Sequence, residues 1–364
     1  MAAIIDRAGE ALSGWMDPYL NKNLTDTGAL RDLSIEGDTL KIVIQLGYPA
    51  AGLQDTMIEQ IEQHIRKQVA DIGKIDIDLT WKIASHQTET PMKPQTKIKN
   101  MIAVASGKGG VGKSTTAVNL ALALSKEGAK VGILDADIYG PSLAMMLGVP
   151  DDARPDVEGG KFFTPMQLHG MQAMSMGFLA DANTPMVMRG PMISSAFLQL
   201  LDQTLWHDLD YLVVDMPPGT GDIQLTLAQK APVTGAVIVT TPQNIATLDA
   251  KKGIEMFRKV DIPVLGIVEN MAIHICGNCG HQEHIFGTGG ADQVAESYDI
   301  PVLGSLPLEP SIREQTDSGN PTVLADPEGT ISLLYRDLAR RMAAQLSQRP
   351  KFETSLFSAV NVDS

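Results

Sequence analysis

The chain contains 364 residues, which predicts two domains because a single domain usually has roughly 100–200 residues. Its 29 basic and 43 acidic residues give a formal net charge of −14, which disfavours broad binding to nucleic acid or to an anionic membrane. Two cysteines cannot form the disulfide framework of a small secreted protein, so we expect a cytoplasmic protein with both thiols free for metal. No run of about 18 apolar residues predicts a membrane-spanning helix.

Residues 1–84 predict a small α+β domain. Apolar residues recur at helical spacing at the N-terminus and again from Leu53 to Val69, and they alternate with a period of two in residues 40–46 and 75–83. The expected order is helix, strand, helix, strand. Residues 85–98 are polar and contain two prolines, which predicts a linker to a second domain.

Residues 99–349 predict a doubly wound α/β domain with a mostly parallel sheet. Short apolar runs alternate with helical patterns, as expected for strands buried on both faces and joined by crossover helices. The six runs are MIAVAS, KVGILDAD, DYLVVDM, GAVIVTT, PVLGIVEN and PVLGSL. An amphipathic helix from Ile331 to Leu346 is expected to pack on the sheet, and residues 350–364 are expected to form a flexible tail.

A phosphate-binding loop follows the first of these apolar runs and opens a helix. The segment matches G-x-x-x-x-G-K-[ST], in which glycines let backbone N–H groups turn towards phosphate oxygens at a helix N-terminus. Lys113 is expected to contact the outer phosphates of ATP and Ser114 to bind Mg²⁺. The predicted nucleotide-binding residues of this segment are Gly107, Lys108, Gly109, Gly110, Val111, Gly112, Lys113, Ser114 and Thr115.

Two acidic motifs end later strands of the predicted sheet. The segment Asp135–Ser142 follows the second strand, where ligands bind in open α/β folds. The segment Asp215–Asp222 contains Pro-Pro-Gly, and Asp215 is placed like the acid that holds Mg²⁺ in P-loop enzymes. We expect both segments to face the nucleotide.

The two cysteines form a C-x-x-C pair, Cys276 and Cys279, which can hold one metal ion or one edge of a cluster. Structural zinc and cubane iron–sulfur clusters normally take four protein ligands, so this pair is half a site. A symmetric dimer would supply the same pair again. His281 and His284 leave a zinc knuckle within one chain open, and a redox pair or inert thiols also remain open.

Lys108 makes the loop resemble the deviant Walker motif K-G-G-x-G-K-[ST] of a group of dimeric ATPases. In that group the additional lysine reaches the partner's nucleotide, so the resemblance implies a catalytic role for Lys108 beside Lys113 and an active site completed by a homodimer. It further implies that Asp137 orients the attacking water and that Asn270, after another strand, contacts adenine.

Over residues 97–345 the chain resembles the Mrp/ApbC family of iron–sulfur cluster carrier ATPases. The resemblance is carried by the phosphate-binding loop, the two acidic motifs and the cysteine pair, and segments 189–192 and 307–313 are also similar. It implies slow ATP hydrolysis, a [4Fe–4S] cluster held by Cys276 and Cys279 of two protomers, and transfer of that cluster to recipient apoproteins.

The N-terminal domain resembles one that recurs in iron–sulfur assembly factors. Where that domain often has Cys-Pro after its first long strand, this chain has Tyr48-Pro49 and therefore no cluster-handling thiol there.

Competing functions are a positioning ATPase of the MinD/ParA kind, anchored by its last helix, a reductase, and a zinc-stabilised ATPase. The last helix contains Asp337 and further chain follows it, and the reductase that the chain resembles has its cysteines in separate loops. Clustered methionines such as Met171 and Met174 indicate core packing rather than metal binding. The sequence therefore favours the carrier, with no nucleic-acid or membrane partner.

Overall fold

The computed structural model describes residues 2–69, 71–88, 97–137, 140–150, 152–179 and 190–352. Ile138, Tyr139 and Arg189, and parts of the predicted linker and tail, lie outside these ranges. Among the described residues, no helix is long and apolar enough to cross a membrane.

The N-terminal part of the chain forms a three-stranded sheet with two helices. Its elements are α1 (Ala2–Gly14), β1 (Leu30–Glu36), β2 (Thr39–Leu46), α2 (Gln54–Gln68) and β3 (Lys74–Trp81). Strand β2 lies between antiparallel β1 and parallel β3. In β2 every second residue is buried, and α2 buries Met57, Ile61 and Ile65, as their spacing predicts.

The predicted order of helix, strand, helix, strand was wrong, because it omitted β1. The sequence of β1, LRDLSIE, does not alternate strictly, and its residues are half-buried or exposed. An edge strand with little burial carries a weak hydrophobic signal. Near the end of β2, the Tyr48 side chain is fully buried and donates a 2.7 Å hydrogen bond to Asp17 Oδ2.

The larger part of the chain is an α/β unit built on an eight-stranded sheet. Its elements, in chain order, are β4 (Ile98–Ala105), α3 (Lys113–Lys126), β5 (Val131–Asp135), α4 (Leu143–Met146), β6 (Val157–Glu158), β7 (Phe162–Phe163), β8 (Met166–Leu168), β9 (Met171–Ser175), α5 (Gly190–Gln203), β10 (Leu209–Asp215), α6 (Asp222–Lys230), β11 (Gly235–Thr240), α7 (Asn244–Arg258), β12 (Val264–Glu269), β13 (His274–Ile275), β14 (Gln282–Glu283), α8 (Gly290–Tyr298), β15 (Val302–Ser305), α9 (Pro310–Asp317), α10 (Thr322–Ala325) and α11 (Thr330–Ser347). The strand order is β15-β12-β11-β4-β10-β5-β9-β8.

All six predicted strands run parallel in this sheet, so the predicted fold class is confirmed. Strand β4 lies between β10 and β11, and the phosphate-binding loop follows its carboxyl end. The sequence missed the hairpin β8–β9, in which β9 runs parallel to β5 and β8 antiparallel to β9. Met171 and Met174 of β9 are buried in the core, as expected.

Helix α11 packs against α3, β12 and β15 and buries Leu338, Met342 and Leu346. Leu334, which the pattern assigned to the same apolar face, is 38% exposed. Most of the apolar surface of this helix is therefore used within the fold, as expected, and is not left for a membrane.

The small sheet domain contacts the far end of the helix that follows the phosphate-binding loop. Glu127, at the C-terminus of α3, is fully buried and accepts hydrogen bonds from Arg336 Nε at 2.6 Å and Arg340 Nη1 at 2.8 Å. The backbone N–H of Gly52 donates to the same carboxylate at 3.0 Å, and Arg340 Nε donates to the hydroxyl of Tyr19 at 2.8 Å. A buried ionic cluster thus joins the two parts of the chain.

The predicted linker, 85–98, and tail, 350–364, are ordered where they meet. Phe352 N donates to Ser85 O at 2.8 Å, in a short pairing between the start of the linker and the start of the tail. Strand β4 begins at Ile98, so the end of the predicted linker already belongs to the sheet. Backbone pairing between distant segments has no signature in the local sequence, which explains these corrections.

Candidate functional site

The phosphate-binding loop connects β4 to α3 and has the backbone that its glycines predict. Gly110 and Gly112 have φ values of 81° and 80°, in the left-handed region that favours glycine. Gly112 precedes the first turn of α3, and a Cβ atom on it would lie 2.1 Å from Asn270 Nδ2. Glycine is required at this position both by conformation and by space.

The first glycine of the loop lies against another helix. A Cβ atom on Gly107 would lie 2.1 Å from the backbone oxygen of Asp249 in α7. The hydroxyl of Ser106 donates to the Lys108 carbonyl at 2.8 Å, and Gly219 N donates to Ser106 O at 2.9 Å. These contacts join the loop to α7 and to the segment that contains Pro-Pro-Gly.

Lys113 points into the interior and forms an ion pair with Asp215 at the end of β10. Both side chains are more than nine-tenths buried. Burial raises the pKa of Asp215, and the ammonium group of Lys113 partly offsets that effect. Lys113 Nζ also donates to Ser114 Oγ at 3.2 Å, so the predicted phosphate-binding lysine and both predicted magnesium ligands meet at one point.

A second buried carboxylate, Asp135, lies beside this ion pair. Asp135 and Asp215 are paired residues at the ends of adjacent strands β5 and β10. Asp135 accepts hydrogen bonds from Asp137 N at 2.9 Å, Ser142 N at 3.1 Å and the hydroxyl of Ser175 at 3.3 Å. Burial raises the pKa of Asp135, and the charge of Asp215 raises it further.

This group of oxygen atoms fits Mg²⁺, which prefers carboxylate, hydroxyl and water ligands. Two buried carboxylates with raised pKa values lie where one cation, Lys113, already compensates part of their charge. A divalent ion would compensate the remainder. Ser114 and Asp215 are the side chains that would hold it.

Asp137 lies near the site but does not form part of the buried ion pair. Its Oδ1 atom accepts a 3.3 Å hydrogen bond from Gly140 N. It lines a cavity of about 400 Å³ together with Pro217 and Pro218, so the two acidic motifs face the same space, as expected. Gln224 also lines this cavity and donates to the Pro218 carbonyl at 2.6 Å.

Asn270, predicted to contact adenine, is buried against the loop. Its Nδ2 atom donates to the Val111 carbonyl at 2.8 Å, and its Oδ1 atom accepts from Met271 N at 3.0 Å. The structure therefore shows a residue that supports the loop backbone, and the contact with adenine stays a prediction.

Cys276 and Cys279 lie in the turn of the hairpin β13–β14, at the surface. Cys276 N donates to His281 O at 2.9 Å and Gly280 N donates to Cys276 O at 2.8 Å, which closes the turn. Cys279 is exposed and Cys276 is half-buried. Backbone N–H groups of Asn278 and Cys279 lower the pKa of the Cys276 thiol, which favours the thiolate that binds metal.

The zinc knuckle within one chain is not formed. His284 Nδ1 lies 2.8 Å from the Ala272 carbonyl. Across the described ranges, no group of three or more histidine, cysteine, aspartate or glutamate side chains is arranged to share one ion. The cysteine pair therefore lacks additional ligands from its own chain in this part of the structure.

Sequence reasoning gave no role to Asp135 or to Gln224. Asp135 was noted only as the start of its motif, although a carboxylate at the end of a buried strand is itself a signal. The contact of Gln224 with Pro218 depends on tertiary geometry and had no such signal. Of the two other family-like segments, 190–192 begins α5 and 307–313 leads from β15 into α9.

The fold and this site define the class: the chain is a P-loop NTPase of the ParA and MinD type. Its large part matches the family described as ParA, NUBPL iron-transfer P-loop NTPase, over residues 97–343. The small part, residues 6–78, matches the family described as iron-sulfur cluster assembly protein. The chain therefore belongs to the NUBPL iron-transfer P-loop NTPase family, and the resemblance seen in the sequence is confirmed.

Similar proteins share nearly the whole chain. An iron-sulfur cluster carrier protein from Pseudomonas fragi is 61% identical over 268 residues, covering 74% of this chain and 93% of that protein. A protein of the same name from Salmonella typhimurium is 52% identical over 335 residues, covering 92% of this chain and 90% of that protein. The nucleotide-binding protein from Archaeoglobus fulgidus, solved in complex with ADP, is 39% identical with a TM-score of 0.56, covering 64% of this chain and 90% of that one.

Proposed function

We propose that this protein is an iron–sulfur cluster carrier in which two copies hold one [4Fe–4S] cluster and pass it to recipient apoproteins. The carrying observation is a single surface pair of cysteines, Cys276 and Cys279, in the same domain as a phosphate-binding loop. The relatives named as iron-sulfur cluster carrier proteins support this role.

The proposal needs a homodimer because one chain contributes two thiolates and a cubane cluster normally takes four ligands. A turn at the surface suits such sharing, since two turns can approach without unfolding either chain. Lys108 supports the same arrangement. Among the described residues its ammonium group makes no ion pair, and it is free to reach a nucleotide on the partner.

ATP binding and slow hydrolysis accompany the carrier role in this proposal. Lys113 would exchange Asp215 for the outer phosphates, and the loop N–H groups would bind the phosphate chain. Mg²⁺, held by Ser114 and Asp215, would supply charge compensation on the phosphates. Asp137 would orient the attacking water in the space it shares with Pro217 and Pro218. Asn270 would contact adenine.

A positioning ATPase is the alternative, and the last helix argues against it. Leu338, Met342 and Leu346 of α11 are buried, while Arg336 and Arg340 bind Glu127. The net charge of −14 also opposes binding to nucleic acid or anionic lipid. We therefore propose a cytoplasmic protein whose macromolecular partners are a second copy of itself and apoproteins.

Anaerobic reconstitution with iron and sulfide tests the cluster. We expect the wild type and Asn278→Ala, a control in the same turn, to bind iron and sulfide with the visible absorption of a [4Fe–4S] cluster. Cys276→Ala should lose most of both. Equal cluster content in Cys276→Ala and the wild type would falsify the proposal, and a cluster-loaded monomer in analytical ultracentrifugation would reject bridging.

A further inference from the structure

A groove of about 460 Å³ lies between the cysteine hairpin and helices α9 to α11. Ile273 and Ile275 form its hairpin wall, and Ile331 and Leu334 form its helical wall. Ile275 and Leu334 are 37% and 38% exposed, although both are apolar. Ile275 directly precedes Cys276, so anything bound in the groove lies beside the proposed cluster ligands. No residue of the phosphate-binding loop lines it.

The groove contains hydrogen-bonding groups without partners. Three buried side-chain polar atoms in the described part of the structure have no hydrogen-bond partner, and two of them, Gln315 Oε1 and Thr322 Oγ1, belong to residues that line this groove. Buried polar atoms are normally paired, so an unpaired one at a groove indicates a missing ligand. The amide oxygen of Gln315 accepts hydrogen bonds only, so it requires a donor.

The charge of the groove is negative. Glu309 and Asp326 line it, no lysine or arginine does, and among the described residues neither carboxylate forms an ion pair. Two carboxylates and an amide acceptor match a cationic occupant that is rich in donors. The apolar walls add a requirement for at least one apolar side chain.

We propose that this groove docks a short segment of the recipient apoprotein, with an apolar side chain next to lysine or arginine. The proposal deepens the carrier function and rests on it, because the segment would hold the recipient beside Cys276 and Cys279 during transfer. A second copy of the same surface would bring two more carboxylates, so charge opposes self-association here.

Peptide binding to the full-length protein tests the groove without any cluster. The probes are fluorescein-labelled peptides of about twelve residues, one alternating leucine with lysine and one alternating leucine with glutamate, followed by fluorescence anisotropy. We expect the lysine peptide to bind and the glutamate peptide to bind at least about tenfold more weakly. Leu334→Lys and Asp326→Lys should each weaken the lysine peptide about tenfold.

Two matched controls separate docking from a general charge effect. Leu333→Lys changes the neighbouring residue of α11, which is 44% exposed and does not line the groove. Glu296→Lys reverses an exposed charge on α8, away from the groove. Both should bind the lysine peptide within about twofold of the wild type. Equal weakening in groove and control variants, no binding by the wild type, or equal binding of both peptides overturns the proposal.

Cluster transfer and nucleotide binding complete the test. Reconstituted Leu334→Lys should transfer its cluster to apo-aconitase about tenfold more slowly than Leu333→Lys, with the same cluster content and the same affinity for ADP. A loss of ADP affinity in Leu334→Lys would assign the groove to the nucleotide and overturn docking. A wild type that binds the lysine peptide but loads no cluster would instead reject the carrier function.

Discussion

The Lys113 ammonium group and the Asp215 carboxylate form an ion pair inside the protein, where side-chain exposures are only 6% and 4%. In this arrangement the phosphate-binding lysine already has a counter-ion before any nucleotide arrives. ATP must replace Asp215 as the partner of Lys113. The carboxylate is thereby freed for a cation that accompanies the phosphates.

Lys113→Ala should weaken ADP binding more than about a hundredfold, because a buried charge that contacts phosphate contributes about 3 kcal/mol or more. It should also lower the free energy of unfolding by about 3–5 kcal/mol, since Asp215 is left buried without its partner. Isothermal titration calorimetry and urea unfolding measure the two effects. Adding Asp215→Asn should restore stability but not binding, and a double variant no more stable than Lys113→Ala would contradict this account.

Magnesium binding should depend on pH through the two buried carboxylates. The pKa values of Asp135 and Asp215 are both raised, chiefly by burial, so protons compete with the ion. Affinity for Mg²⁺ with ADP should therefore increase from pH 6 to pH 8, with release of protons. Calorimetry in buffers of different ionisation enthalpy measures this release, and its absence would show that these carboxylates do not contact the ion.

The same raised pKa values predict how stability changes without ligand. An unfolded aspartate loses its proton near its ordinary pKa of 3.8, whereas the folded carboxyls hold theirs to higher pH. Their contribution to the free energy of unfolding therefore falls as pH rises from 3.8 through the folded pKa values. Mg²⁺ with ADP should recover part of that loss at pH 8. A similar gain from the ligands at pH 5 would be inconsistent with this linkage.

Cys276 should be alkylated at lower pH than an ordinary cysteine. Backbone N–H groups of Asn278 and Cys279 lower its pKa, while free cysteine has a pKa of about 8.5. In Cys279→Ser, which keeps both N–H donors, the rate of reaction with iodoacetamide should reach half its maximum below pH 8.5. Mass spectrometry follows the labelled peptide. A midpoint at or above that of free cysteine would mean that the turn does not stabilise the thiolate.

Glu127 should contribute strongly to stability, unlike an exposed neighbour in the same network. Glu127→Ala leaves Arg336 and Arg340 without their buried partner and should lower the free energy of unfolding by about 3–5 kcal/mol. Glu328 also pairs with Arg336, but its side chain is 82% exposed, so Glu328→Ala should cost less than about 1 kcal/mol. Urea unfolding followed by circular dichroism compares them. Similar losses would exclude a dominant role for the buried cluster.

Gly112→Ala should destabilise the loop, and Gly109→Ala should not. An alanine at position 112 would need a left-handed backbone, costing about 1–2 kcal/mol, and its Cβ would displace Asn270. A Cβ atom on Gly109 meets no atom within 4 Å. Thermal unfolding without nucleotide measures both variants. An unchanged melting temperature for Gly112→Ala would indicate that the loop relaxes freely around position 112.

Features written in short stretches of sequence could be predicted. The loop from Gly107 to Ser114, the six buried strands and the pair Cys276 and Cys279 depend on neighbouring residues, periodicity or spacing. Strand β1 and the hairpin β8–β9 were missed because their short, partly exposed strands lack a strong apolar period. Asp135 and Asp215 were each visible at a strand end, but their direct pairing depends on β5 lying next to β10.

The sequence by itself determined the ATPase class and the single cysteine pair, because glycine, lysine and cysteine act there through local backbone geometry. Only the tertiary structure decided which charges meet. It brought Lys113 to Asp215 across 102 residues, Glu127 to Arg336 across 209 residues, and the cysteine hairpin to the edge of an acidic groove. Electrostatic and packing energies depend on distance in space, and separation along the chain does not encode that distance.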